Sequence, residues 1–204
     1  MECARAAGCG LRMAIPTATL AGEKVRLRPF RDDDVPLLHK WFNDPEVLQW
    51  LHLSEDPPEV MRSLQAHRER WERIRDDPGH VSWVIETKGG TPIGEIGLLN
   101  VHPHGRAELG ISIGEKDCWS RGYGADAIRT LLRHAFGELG LRRVQLIADE
   151  DNARGIRCYE KCGFVREGLL RAHRLRGGEP VNGVVMAVLR GEWERGAREG
   201  PDGR

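Results

Sequence analysis

Apolar and charged residues alternate through "EKVRLRPF", Glu23 to Phe30, with Val25 and Leu27 on one side, and this period of two predicts a strand. In the next segment Val35, Leu38, Trp41 and Phe42 recur at helical spacing after Asp32–Asp34, whose side chains are good N-caps. Pro45 is expected to close that helix. Val60, Leu64, Trp71 and Ile74 mark the apolar stripe of a second helix over Pro57–Asp77. Three alternating runs follow: Val81–Thr87, Pro92–Val101 and Arg106–Gly114. "KGGT" and "HPHG" lie between them as turn sequences, which predicts antiparallel neighbours. The period returns to 3.6 at Ala125, Ile128, Leu131, Leu132, Ala135, Phe136 and Leu139, and Gly140 ends that helix. "RRVQLIAD" reads as a strand and "NARGIRCYEKCGF" as a short helix with a turn. "FVREGLLRAHRL" and "GVVMAVLRGEW" read as closing strands separated by "RGGEPVNG".

This order predicts an α+β fold: a mixed, largely antiparallel central sheet flanked by helices, in a single domain. Residues 1–20 are expected to be an irregular extension, with Met13 as a second candidate start; the domain is expected over 21–194, with a flexible tail over 195–204.

Composition narrows the function. Lys plus Arg and Asp plus Glu are 31 each, so the net charge is zero. That balance argues against bulk binding to nucleic acid or to an anionic membrane surface. No apolar run reaches a membrane span, and "MECARAAGCGLRMAIP" lacks an apolar core of signal-peptide length. A cytoplasmic location is expected. The five cysteines, Cys3, Cys9, Cys118, Cys158 and Cys162, are odd in number and irregular in spacing, which suits reduced thiols. Cys158 and Cys162 share a helix face, but no matching Cys/His pair stands elsewhere, so no metal site is expected.

The segment "WSRGYGADA", Trp119–Ala127, sets two glycines at the start of the strongest predicted helix. Glycine costs backbone entropy there, so a close approach to the backbone is the chemical reason to look for. Helix N-termini carry unpaired N–H groups and partial positive charge, and they hold phosphates. The P-loop lysine is missing, and the dinucleotide fingerprint fails after Gly124. The motif alone fits either a phosphate cradle or a tight turn.

Together, "KVRLRPF", "W-x-x-G-Y-G", "N-x-x-x-I-x-x-Y-E-K-x-G-F-x-x-E-G" and "M-x-V-L-x-x-E-W" resemble the GNAT superfamily of N-acetyltransferases. The likeness spans Gly22 to Trp193 and is greatest to the Rim-type ribosomal-protein and spermidine acetyltransferase branch. It implies acetyl-CoA as cosubstrate, with Trp119, Ser120, Arg121, Gly122, Tyr123, Gly124 and Ala125 around the pyrophosphate. Trp119 replaces the family's Gln or Arg at the first loop position, and Gly155 replaces its usual Ser or Ala. Asn152 matches the residue that meets the pantetheine arm, and it also suits a helix N-cap. Tyr159 matches the acid that protonates the leaving thiolate.

Amide formation needs a neutral amine, and a lysine-like amine with a pKa of about 10.4 is almost wholly protonated at neutral pH. The resemblance makes Glu108 the candidate general base, with Glu95 as the alternative. Backbone N–H groups of Leu109, Gly110 and Ile111 are expected to guide the pantetheine and polarise the thioester carbonyl. Direct attack in a ternary complex needs no covalent intermediate, and Cys118 lacks a paired histidine that would make it a nucleophile.

Trp41, Trp50 and Glu95, with the acids Asp44, Glu46, Glu55 and Asp56, are expected around the acceptor. Asn182 stands where the branch often has Asp. The acceptor is a protein N-terminus or a small amine, polyamine or aminoglycoside-like. The alternative is a non-catalytic acetyl-CoA-binding module, which the presence of both Glu108 and Tyr159 disfavours. A homodimer through the last strands is the expected assembly, by resemblance.

Overall fold

A computed structural model of the chain describes residues 18–51 and 63–199. The alternating segments form one eight-stranded sheet in the order β1-β2-β3-β4-β5-β6-β8-β7. Its strands are β1 (Leu20–Ala21), β2 (Val25–Pro29), β3 (Val81–Thr87), β4 (Pro92–His102), β5 (Arg106–Ile113), β6 (Arg143–Asp149), β7 (Val165–Arg176) and β8 (Glu179–Leu189). The helices are α1 (Val35–Phe42), α2 (Pro45–Leu48), α3 (Leu64–Asp76), α4 (Tyr123–Gly137), α5 (Ala153–Glu160) and α6 (Arg190–Glu199).

The 3.6-residue stripe of α4 is buried as expected: Ala127, Ile128, Leu131, Leu132, Ala135 and Phe136 pack into the main core with β2–β6 and β8. A second cluster, with Trp41, Phe42, Trp71 and Val84, joins α1 and α3 to the other side of the sheet. Buried ions connect the layers. Arg28 on β2 makes a two-pronged pair with Asp34, both bonds 2.7 Å, and a third contact of 2.8 Å to Glu86. Asp126 on α4 accepts the backbone N–H groups of Glu23, Lys24 and Val25 at 3.1, 2.8 and 2.9 Å.

Five local readings are corrected. Leu20 and Ala21 pair with Leu27 and Arg26, so the sheet already includes residue 20. Pro45 starts a helix instead of closing one: Asp44 accepts the Glu46 N–H at 2.9 Å, and Pro45 fills a first-turn position that needs no N–H. The second helix begins at Leu64, where Ser63 accepts the Ala66 N–H at 3.0 Å; residues 57–62 lie outside the described ones. Finally, the apolar run into Trp193 is not all strand. β8 ends at Leu189, Glu192 accepts the Leu189 N–H at 3.1 Å, and α6 continues to Glu199, past the expected boundary at 194. Trp193 then packs on Phe136 of α4 with ring centres 5.7 Å apart. The preceding hairpin is also tighter than read, since β8 starts at Glu179 after Gly177 and Gly178, both at positive φ.

Candidate active site

β5 and β6 are parallel, and they pair only from Arg106–Glu108 to Arg143–Gln145. β5 continues to Ile113, bonded on its other edge to β4, while β6 continues to Asp149 bonded to β8. The two strands therefore part beyond Glu108, and one edge of β5 is left without β6. A cavity of about 330 Å³ opens there. Its walls are Ile111–Ile113 of β5, the loop and first turn of α4, one side of α5, and Val47, Trp50 and Leu51 near α2.

The first turn of α4 explains both glycines differently. Gly122 is the N-cap at φ 84°, in the left-handed region where a Cβ is strained, and no side chain caps the helix. The first N–H groups of α4 thus lack helical partners. Gly124 has ordinary backbone, and a Cβ there would stand 3.8 Å from Cys158 Sγ and Ile113 Cγ1. The protein does not forbid a side chain at Gly124; the space it leaves is cavity. Trp119 fixes the loop, its indole donating to the Ile113 carbonyl at 2.7 Å. Ser120, Tyr123 and Ala125 also line the cavity, but the Arg121 side chain is exposed and lines none of it.

Asn152 caps α5 by accepting the Gly155 N–H at 2.9 Å, and it also faces the cavity. A Cβ on Gly155 would lie 2.8 Å from the Asn152 carboxamide, so the departure at 155 makes room for the cap. Tyr159 lines the cavity, half-buried. Burial first, then the Cys158 and Cys162 thiols, push its hydroxyl above the usual phenol range, so it carries its proton at neutral pH.

The two carboxylates differ. Glu108 accepts from Asn100 Nδ2 at 3.2 Å and Gln145 Nε2 at 3.4 Å, and it does not line the cavity. It is four residues from Ser112, roughly 13 Å along a strand. Glu95 does not line the cavity either, but it sits directly across from Ser112, a wall residue. It lies deep in the protein yet keeps part of its surface open. Burial raises its pKa, and the Arg70 charge pulls it partly back. Leu109 is buried in the core and Gly110 lies opposite Gly97; of the three expected backbone guides, Ile111 reaches the cavity wall.

Of the residues expected around the acceptor, Trp50 lines the cavity beneath Arg176, whose guanidinium carbon is 5.2 Å from the ring centre. Trp41 does not reach it: it is 1 % exposed, bonded to Glu115 at 2.8 Å and packed on Gly114. Lys116 occupies Asp44 at 2.9 Å and Glu46 at 2.8 Å, which removes both as free anions. Glu55 and Asp56 lie outside the described residues. Asn182 supports a bulge instead, accepting the Ala172 N–H and donating to Glu150, each at 2.9 Å.

The acetyltransferase (GNAT) domain family matches residues 24–165. The chain belongs to the GNAT family. Its relatives include the spermidine N(1)-acetyltransferase of Escherichia coli K12, 26 % identical over 174 residues, which are 85 % of this chain and 90 % of that one. The aminoglycoside N(6')-acetyltransferase type 1 of Klebsiella pneumoniae is 25 % identical, over 74 % of this chain and 78 % of its own. Among solved structures, an acetyltransferase from T. thermophilus is 34 % identical with a TM-score of 0.73, covering 90 % of this chain and 95 % of that one. The spermidine N-acetyltransferase of Vibrio cholerae, solved with CoA and spermine, shares the fold at a TM-score of 0.75 and 22 % identity, over 84 % and 98 % of the two chains.

Within this GNAT site the sequence reading missed the cations of α5. Arg154 stacks on Trp119, its guanidinium carbon 3.7 Å from the ring centre, and Arg157 and Lys161 line the same wall. Among the described residues no carboxylate pairs with Arg154, and burial alone lowers its pKa. The signal was present as cations at positions 154, 157 and 161, which share one helix face after Asn152. These residues fit a pyrophosphate: unpaired N–H groups, an open Gly124 and an unpaired guanidinium converge on one cavity. Among the described residues, no group of three or more His, Cys, Asp or Glu side chains is placed to hold a metal ion.

Proposed function

We propose that this GNAT enzyme acetylates a small primary amine by direct attack in a ternary complex, with Glu95 as general base and Tyr159 as general acid. The observation that carries the reading is the cavity itself. The uncapped first turn of α4, the unpaired Arg154 and the protonated Tyr159 line one space beside the parted strands. Acetyl-CoA supplies the activated acyl group and the thiol leaving group.

The α4 N–H groups and Arg154 hold the pyrophosphate. The free edge of β5 beyond Glu108 offers backbone groups to the pantetheine arm, and those groups stabilise charge developing on the thioester carbonyl. Glu95 takes the proton of the acceptor ammonium, directly or through one water. A raised pKa suits that task, since a stronger base competes better for a proton held at about 10.4. Tyr159 donates its proton to the departing thiolate. Glu108, already bonded to two amides and away from the wall, is a structural carboxylate in this reading.

The likeness to spermidine and aminoglycoside acetyltransferases supports a small amine as acceptor. The test is turnover of acetyl-CoA against polyamines, aminoglycosides and peptides with free N-termini, with Tyr159→Phe as control. Acetylation of one small-amine class, reduced in the variant, is the expected result. Acetyl-CoA binding with no turnover on any amine would overturn catalysis, and turnover on peptides alone would overturn the small acceptor.

A further inference from the structure

Cys158 of α5 lines the cavity and Cys162 of the following turn lies behind it, and the proposed transfer reaction uses neither. Cys158 is half-buried and lines the wall opposite Gly124; its Sγ would stand 3.8 Å from a Cβ on that glycine. Cys162, one turn on, is 5 % exposed, with its sulfur 3.5 Å from the Ala125 carbonyl. The pair is therefore asymmetric: one sulfur faces the space a ligand would enter, and the other is sealed behind it.

We propose that Cys158 is a thiol–disulfide exchange site, where a low-molecular-weight disulfide forms a reversible adduct that blocks acetyl-CoA. The inference rests on reading the cavity as the acetyl-CoA site. In the exchange, the Cys158 thiolate attacks one sulfur of the small disulfide. A new Sγ–S bond forms and the old S–S bond breaks. The other half leaves as a thiolate and takes a proton from water. Cys158 is oxidised and the small disulfide reduced, so no further oxidant is needed. A free thiol reverses the step.

Three features favour Cys158. It borders the first turn of α4, whose partial positive charge favours a thiolate. The Cys162 thiol beside it and the nearby Arg129 and Lys161 charges hold it below the usual thiol range against the opposing effect of burial. Arg154, Arg157 and Lys161 make the wall cationic, which attracts anionic disulfides such as those of glutathione and coenzyme A. Cys118 also lines the cavity, but burial raises its pKa, so it is the built-in comparison.

The experiment treats the full chain with glutathione disulfide in one arm and coenzyme A disulfide in another. Peptide mass spectrometry maps the adduct, and chromatography follows acetylated product. The expected result is one adduct on Cys158, slowed by saturating acetyl-CoA, with turnover lost in step and restored by dithiothreitol. Cys158→Ser keeps its own untreated turnover under the same exposure, whereas Cys118→Ser is inactivated like the parent. Modification at Cys118 in preference to Cys158, no protection by acetyl-CoA, or equal inactivation of Cys158→Ser would each overturn the proposal. The protection arm needs no variant. Calorimetry of untreated protein separates the two readings: absent acetyl-CoA binding sinks the cavity assignment and this inference together, and binding with Cys158 unmodified sinks this inference alone.

Discussion

Gly122 and Gly124 stand two residues apart and answer to different constraints. Gly122 sits at φ 84°, so Gly122→Ala should lower stability by about 1–2 kcal/mol, the cost of a side chain in the left-handed region. Gly124→Ala meets only ordinary contacts and gains helix propensity, so urea unfolding should show stability held or raised while acetyl-CoA affinity falls. Equal stability losses in both variants would mean that the second glycine serves the fold and not a ligand. The proton-transfer residues separate by pH in the same way. The proposed base Glu95 can act only when ionised, and burial raises its pKa, so kcat/KM should fall as pH drops through a value above the usual carboxylate range. Glu95→Gln should abolish that acid limb and lower kcat by about a hundredfold, whereas Glu108→Gln should leave the limb in place. That Gly122, Gly124, Asn152 and Tyr159 meet at one cavity was readable because each is a residue type at a fixed offset in a local motif. Arg154 was not, since an arginine on a short polar helix looks like any solvated one until Trp119 is found 3.7 Å beneath it.

Elements are held in place here by carboxylates that bond backbone or arginine across long sequence gaps. Asp126 takes three N–H groups at the start of β2, and Gly22 is needed beside it, because a Cβ there would stand 2.5 Å from the Asp126 carboxylate. Removing the carboxylate strands those donors, two of them only partly buried, so Asp126→Ala should cost about 3 kcal/mol in urea unfolding. A loss below about 1 kcal/mol would show that water replaces it. At the other end of the sheet, buried Asp149 accepts Arg174 Nε at 2.9 Å and Arg176 Nη1 at 3.1 Å, while Arg174 Nη2 reaches the Gln49 carbonyl at 2.6 Å. That network ties β7 to the segment carrying Trp50. Periodicity located the elements well where one face is buried, as in α4. It failed where the pattern was short or the partner remote: α6 carries one tryptophan among charges, and only its contact with Phe136 shows which way it packs. Asp44 and Glu46 looked free in sequence because Lys116, their partner, arrives from seventy residues away.

At the scale of the whole molecule the cavity exists because a parallel pair of strands stops bonding after three residues, a property of sheet closure that no local pattern carries. Its wall draws on residues from Val47 to Lys161, so acetyl-CoA binding should act on the entire fold: at about a hundredfold excess over Kd it adds roughly 2.7 kcal/mol and raises Tm accordingly. The same arrangement bears on kinetic order. Trp50, on the proposed acceptor side, and the first turn of α4 face one continuous space, which has room for both substrates in the proposed ternary complex. Varying amine and acetyl-CoA together should therefore give intersecting double-reciprocal lines. Parallel lines would require an acyl-enzyme on one of the two wall thiols, Cys118 or Cys158. The proposed direct attack uses neither thiol, which is why the intersecting pattern is expected; burial also raises the pKa of Cys118 and so depletes its thiolate, and Cys118→Ser should leave the pattern unaltered.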